Sequence, residues 1–165
     1  MPRLDRPLRG LLAVALVVAA LAGTGAAVPG ERVLVVEDAD TGERLATVPV
    51  EEGTTVNLSY THSVEKTPVH DIYTVRGTTL DNTKMRFKSY GWGLPAREDV
   101  RRAGGYFVFD PNRSYEEFYV KAGRVAGHRL TVGDRRIDLV ALSNASSVRI
   151  AVERRSALAT AISKL

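Results

Sequence analysis

No cysteine occurs among the 165 residues. Disulfides, a thiolate metal centre, a cysteine nucleophile and a lipid-modified cysteine anchor are therefore excluded. Histidine occurs three times, so imidazole chemistry rests on His62, His70 or His128. Neither sign of charge dominates. The net charge is +4 and the pI near 9.6, with the cations spread along the chain. A nucleic-acid protein gathers such charge on one helix or beside aromatic platforms, so nucleic acid is not an expected partner. Internal repeats are absent, and no low-complexity linker stands outside Thr24 to Gly30. Hydrophobic residues make up 44%. The length is that of one domain with one core.

The one long apolar run lies at the start. Arg3, Arg6 and Arg9 precede Leu11 to Ala22, and small residues follow from Gly23 to Ala27. Positive, apolar, then small is the order of a secretory signal peptide. No adjacent arginine pair precedes the run, so the twin-arginine route is not indicated. The uncharged stretch from Gly10 to Val28, at about 1.5 Å per residue, nearly spans a ~30 Å hydrocarbon core. This length favours a retained anchor helix over a cleaved signal, with secretion as the alternative. Either way the arginines stay inside and residues after Pro29 lie outside the cell membrane. Residues 1–30 are thus expected to be signal or anchor, and 31–165 an extracytoplasmic domain. Asn57, Asn112 and Asn144 stand in Asn-x-Ser triplets, which are glycan acceptors on some exported chains.

From residue 31 the pattern alternates with period two. Val33 to Glu37 and Arg44 to Val50 flank the turn Asp38-Ala39-Asp40-Thr41-Gly42. Val56, Leu58, Tyr60 and His62 share one face of the next strand. Further strands are expected at Ile72 to Val75, Lys84 to Tyr90, Tyr106 to Phe109 and Phe118 to Lys121. Leu130 to Leu139 forms a hairpin around Gly133-Asp134, and Val148 to Val152 closes the set. Only Ser156 to Leu165 carries a helical stripe. The expected fold is all-β: an antiparallel sandwich or partly open barrel of about nine strands. An N-terminal membrane or signal helix and a short C-terminal helix complete it.

Tyr60 to Asp71 places two histidines and two acids within twelve residues. Three chemistries compete for them. A serine hydrolase would use Ser63, with His62 or His70 as base and Asp71 behind. Adjacent strand residues point to opposite faces, so His62 is badly placed for Ser63, and no glycine elbow presents that serine. A metal site would draw on His62, Glu65, His70, Asp71 and His128, but His-x7-His matches no common zinc spacing. A structural corner needs least: Pro68 fixes the turn, Glu65, Thr67 and Asp71 satisfy its amides, and His62 is the buried tip that locks it.

Two features follow. Gly91-Trp92-Gly93-Leu94-Pro95 is a loop whose glycines permit close approach, with Trp92 either sealing the fold or anchoring a partner. Lys84, Arg86 and Lys88 stand on one strand face, about 7 Å apart, with Arg97, Arg101 and Arg102 beyond the loop. They form a solvated face or a surface for anionic head groups, an acidic protein or a small anionic solute.

The block Tyr60-Thr61-His62-Ser63-Val64-Glu65-Lys66-Thr67-Pro68-Val69 follows Asp38-Ala39-Asp40-Thr41-Gly42. It precedes Phe87-Lys88-Ser89-Tyr90-Gly91-Trp92-Gly93-Leu94-Pro95. Over roughly residues 32 to 125 the chain resembles the uncharacterised family known as domain of unknown function eighteen-fifty. The resemblance implies a short exported protein associated with membrane subunits of tripartite (TRAP-type) solute transporters, hence an accessory role outside the membrane. It carries no established activity to His62, Ser63 or Glu65. Trp92 departs from the family pattern, which usually has a small residue there. The candidate binding residues are therefore Tyr60, His62, Ser63, Glu65, Thr67, Lys84, Arg86, Lys88 and Trp92. No enzymatic activity, metal or cofactor is expected. The membrane and a transporter's membrane or solute-binding subunits are the expected partners. An exported hydrolase or metal enzyme using His62, Ser63 and His70, and a ligand-free cell-envelope domain, are the alternatives.

Overall fold

The structure is a computed structural model that describes residues 31–90 and 99–155. The leader at 1–30, the loop 91–98 with Trp92 and Arg97, and the expected helix from Ser156 to Leu165 lie outside the described residues.

The first five strands are β1 (Arg32–Asp38), β2 (Arg44–Val50), β3 (Thr55–Thr61), β4 (Pro68–Arg76) and β5 (Thr79–Phe87). There follow β6 (Arg101–Ala103), β7 (Tyr106–Phe109), β8 (Arg113–Tyr115) and β9 (Glu117–Lys121). The chain continues through β10 (Arg129–Val132), β11 (Arg135–Asp138), a short helix α1 (Leu139–Leu142) and β12 (Ser147–Arg154). All pairings among the described residues are antiparallel. Four strands form one sheet in the order β2-β1-β12-β9. The other runs β11-β10-β3-β4-β5-β7-β6, with β8 also paired to β5.

Local chemistry sets these elements. The Asp38 carboxylate accepts the amides of Asp40 and Thr41 at 3.0 and 2.9 Å, and Gly42 takes φ +72°, so the β1–β2 turn is fixed by its own side chains. Gly133, at φ +54°, opens the β10–β11 turn, where a side chain would be strained. Leu34, Val36, Val56, Leu58, Tyr73, Val75, Leu130 and Ile150, drawn from both sheets, belong to one buried apolar cluster.

The strand count differs from about nine because β6 and β8, three residues each, are too short to show alternation. The helix α1 was not expected. Asp138 ends β11 by accepting the amides of Val140 and Ala141 at 3.0 and 3.1 Å, which turns the chain into a helix where the hairpin pattern continued to Leu139.

The strands define two ends. Arg155 donates its amide to the Glu31 carbonyl (2.8 Å), and the Gly53 and Gly133 amides bond Val75 and Thr55. This end, where the described chain begins and stops, is termed the base. At the opposite end, the tip, lie the Asp38 to Gly42 turn, the β3–β4 corner, the end of β5 and the loop between β9 and β10.

Candidate functional site

The β3–β4 corner is built around His62, which is 8% exposed. Its Nδ1 accepts the amides of Val64 and Glu65 at 3.3 and 3.2 Å. Its own amide donates to the Thr67 carbonyl (2.8 Å), and its carbonyl accepts from Lys66 (2.9 Å). The imidazole thus does what an asparagine does in an Asx turn, and Nδ1 is spent on the backbone. Lys66 sits at φ +55°, a left-handed conformation that non-glycine residues adopt at a cost. The Thr67 hydroxyl meets that of Ser89 at 2.7 Å, tying the corner to the chain after β5. One expectation is corrected here: His62 satisfies the turn amides, while Asp71 is carried into β4. Ser63, Val64, Glu65 and Lys66 are exposed.

Strand parity separates the rest. Asp71 pairs with Leu58 and Met85, on the face that buries Val69, Tyr73 and Val75. Burial raises its carboxyl to about 6, and a hydrogen bond from the Tyr60 hydroxyl only partly opposes the shift. Burial, then the Asp71 charge, raises the Tyr60 phenol. The Tyr60 ring stacks on His128, with centroids 5.2 Å apart. Burial lowers the pKa of His128, and among the described residues its buried Nδ1 has no hydrogen-bond partner.

His70 points to the other face of β4. It lies opposite Ser59 and Arg86, with its ring edge-on to Tyr106 at 5.9 Å. Burial, then the Arg86 charge, lowers its pKa. The three histidines therefore occupy three environments: the corner, the outer face of β4 and the β9–β10 loop. Among the described residues no three histidine or carboxylate side chains gather closely enough to hold a metal ion.

The cationic row keeps its expected face. Phe87 is buried, while Lys84 and Lys88 are exposed and Arg86 is half-buried. The row is organised by a residue not singled out from the sequence, Tyr106. The Arg86 guanidinium lies 4.4 Å, and the Lys88 ammonium 5.3 Å, from its ring centroid. Arg102 sits 4.6 Å over the ring of Phe107. A legible signal was present: two arginines and an aromatic run flank Gly104-Gly105, a two-residue hairpin turn. Arg101 is neutralised by Asp110 through two hydrogen bonds, at 2.7 and 3.2 Å. Among the described residues Arg86, Lys88 and Arg102 form no such pair with a carboxylate.

Corner, β4 and the cation-bearing strands fall within one matched segment. Residues 56–139 match the family described as Domain of unknown function (DUF1850). The chain belongs to this family. The match runs from β3 to the first residue of α1, so it begins later and ends later than the resemblance over 32 to 125 implied. The β1–β2 hairpin lies outside the DUF1850 segment, whereas β10 and β11 lie inside it. No curated protein and no solved structure matches this DUF1850 chain.

Proposed function

We propose that this DUF1850 chain is an extracytoplasmic β-sandwich domain, tethered by or delivered through residues 1–30. In this reading it serves a TRAP-type solute transporter as an accessory module that binds a small anionic solute at its tip. The sandwich reading rests on the larger apolar cluster, which draws on both sheets. Export rests on the leader's order of positive, apolar and small residues. The transporter association rests on the family resemblance.

The observation that carries the binding role is the placement of cations that have no carboxylate partner among the described residues. Arg86 and Lys88 are held against one tyrosine ring, which limits their motion before any ligand arrives. They stand at the same end as the His62 corner and opposite the base, where a tether would attach. An anion arriving there meets fixed positive charge at little cost in ordering. His62, whose Nδ1 is engaged by two amides, fits a shaping role better than that of a general base.

The test is a thermal-shift titration of the full chain with acetate, succinate and benzoate at constant ionic strength. A saturable rise in melting temperature that is lost in Lys84→Gln/Arg86→Gln/Lys88→Gln is expected. No saturable rise with any of the three anions would remove the binding role and leave the cell-envelope structural reading.

A further inference from the structure

We infer that the hollow at the β6–β7 turn is a carboxylate site for a ligand with a flat apolar body, and that Arg102 is its principal anchor. The inference rests on the reading that the tip binds a small anion, and it adds a place, a residue and a ligand class.

The hollow measures about 270 Å³ and is lined by Lys88, Arg102, Ala103, the two turn glycines, Tyr106 and Phe107. Gly104 and Gly105 take φ of +58° and +75°, which fixes a tight turn, and no atom lies within 4 Å of where either Cβ would stand. The bare turn therefore leaves open space and two accessible peptide units, and any side chain there would be strained as well as in the way.

Tyr106 and Phe107 are consecutive in β7, so their rings lie on opposite faces of the ribbon. Lys88 covers the first ring and Arg102 the second, and both residues line the hollow. Two cations thus converge on the end of the ribbon from its two sides. A guanidinium lying on a ring still presents N–H groups at its edge, in the fork that matches a carboxylate. The neighbouring arginine shows what occurs when a carboxylate is at hand: Arg101 takes Asp110 in two hydrogen bonds. Arg102 has the same capacity and no carboxylate partner among the described residues.

The aromatic walls decide the body of the ligand. A hydrated inorganic anion gains nothing from an aromatic wall, whereas a ring attached to the carboxylate buries apolar surface at the Phe107 side of the turn, where Arg102 stands. The hollow is slightly smaller than the ~300 Å³ at which pockets for drug-sized ligands begin, so the ligand is small. Benzoate is the simplest probe of this class, and acetate supplies the same charge without the ring.

The experiment is calorimetric titration of the full chain with benzoate and acetate, alongside amide chemical shifts of the wild-type protein. Benzoate is expected to bind at least tenfold more tightly than acetate. Arg102→Gln should weaken benzoate about tenfold, the usual worth of one charge-assisted anchor, while Arg135→Gln, an exposed cation on β11 at the base, leaves it within twofold. The Gly104 and Gly105 amides should shift with benzoate, which needs no variant to fold. Equal affinity for the two acids would overturn the ligand class. Benzoate binding that ignores Arg102→Gln, or that leaves the glycine amides unmoved, would overturn the site while sparing the anion-binding role of the tip. Absence of binding by either acid would overturn the site, and succinate failing as well would sink the anion-binding role of the tip with it.

Discussion

At the scale of single residues, two buried polar groups do opposite work. His62 stabilises the corner because two backbone donors would otherwise lack a partner inside a turn. Replacing it with alanine is expected to cost about 1–2 kcal/mol. His62→Asn should recover most of that loss, since an asparagine oxygen reaches the amides two and three residues on. Urea unfolding of the three proteins decides the matter, and an asparagine variant as weak as the alanine one would show that some other contact of His62 dominates. Asp71 destabilises instead. Its folded pKa of about 6 lies above the ordinary value of 3.8, so the folded chain holds this proton more tightly than the unfolded chain. Stability therefore falls as pH rises from about 4 to 6 and stays lowered above, by about 2–3 kcal/mol. His128 slopes the other way: burial lowers its pKa, so its share of stability is lost as pH drops below 6.5. Asp71→Asn keeps an acceptor for the Tyr60 hydroxyl and removes the charge. It should raise the melting temperature at pH 8 and change it little at pH 4; an equal gain at both would refute the assignment.

At the scale of elements, one inserted residue governs β5. Tyr73 pairs with Asn82 and Ile72 with Lys84, so Thr83 is a bulge opposite the join. Leu80 and Asn82 point inward before the bulge, Phe87 after it, and the phase of alternation changes between them. This explains why β5 was legible only from Lys84 onward: each half alternates, but no single phase covers Thr79–Phe87. The long strands, the β1–β2 and β10–β11 turns and the His62 corner were legible because period, turn chemistry and parity are local. The partners of Arg86 and Lys88 were not, because Tyr106 reaches them through pairing between β5 and β7, which no spacing encodes. Asp71 was misplaced for a related reason: a strand beginning at Pro68, four residues before Ile72, carries it onto the core face. The bulge gives a sharp expectation. Deleting Thr83 removes the extra residue and leaves Phe87 facing inward, so the loss should stay within about 1 kcal/mol. Deleting Met85 turns Phe87 outward and should cost about 3–5 kcal/mol, the range for losing a buried phenylalanine. Chemical denaturation of the pair measures the difference, and equal losses would contradict the register.

At the scale of the whole domain, the four-stranded sheet carries an ion-pair network that crosses all its strands. On the four-stranded sheet Glu37 accepts from Arg44 and Arg149 at 2.9 and 2.6 Å, and Arg149 also reaches Glu117 at 2.5 Å. These cations are consumed by carboxylates across four strands. Among the described residues Arg86, Lys88 and Arg102 have no carboxylate partner and lie on the eight-stranded sheet or just beyond it, towards the tip. Val64 and Val125, 64% and 75% exposed, stand at the same end, where the Thr61 amide bonds the Ala126 carbonyl at 2.8 Å. Val64, Val125 and the Arg86, Lys88 and Arg102 group thus lie at the end opposite the one where the described chain starts and stops. Such a layout suits a tethered module that meets its ligand in the aqueous phase. Because the chain has no cysteine, one introduced thiol is a clean reporter of which phase that is. Ser63→Cys places it on the exposed tip, and Val56→Cys, in the buried cluster, serves as the control. In intact cells a membrane-impermeant maleimide should label Ser63→Cys at once and Val56→Cys only after denaturation. Labelling of Ser63→Cys confined to broken cells would put the tip on the cytoplasmic side and end the case for an extracytoplasmic role.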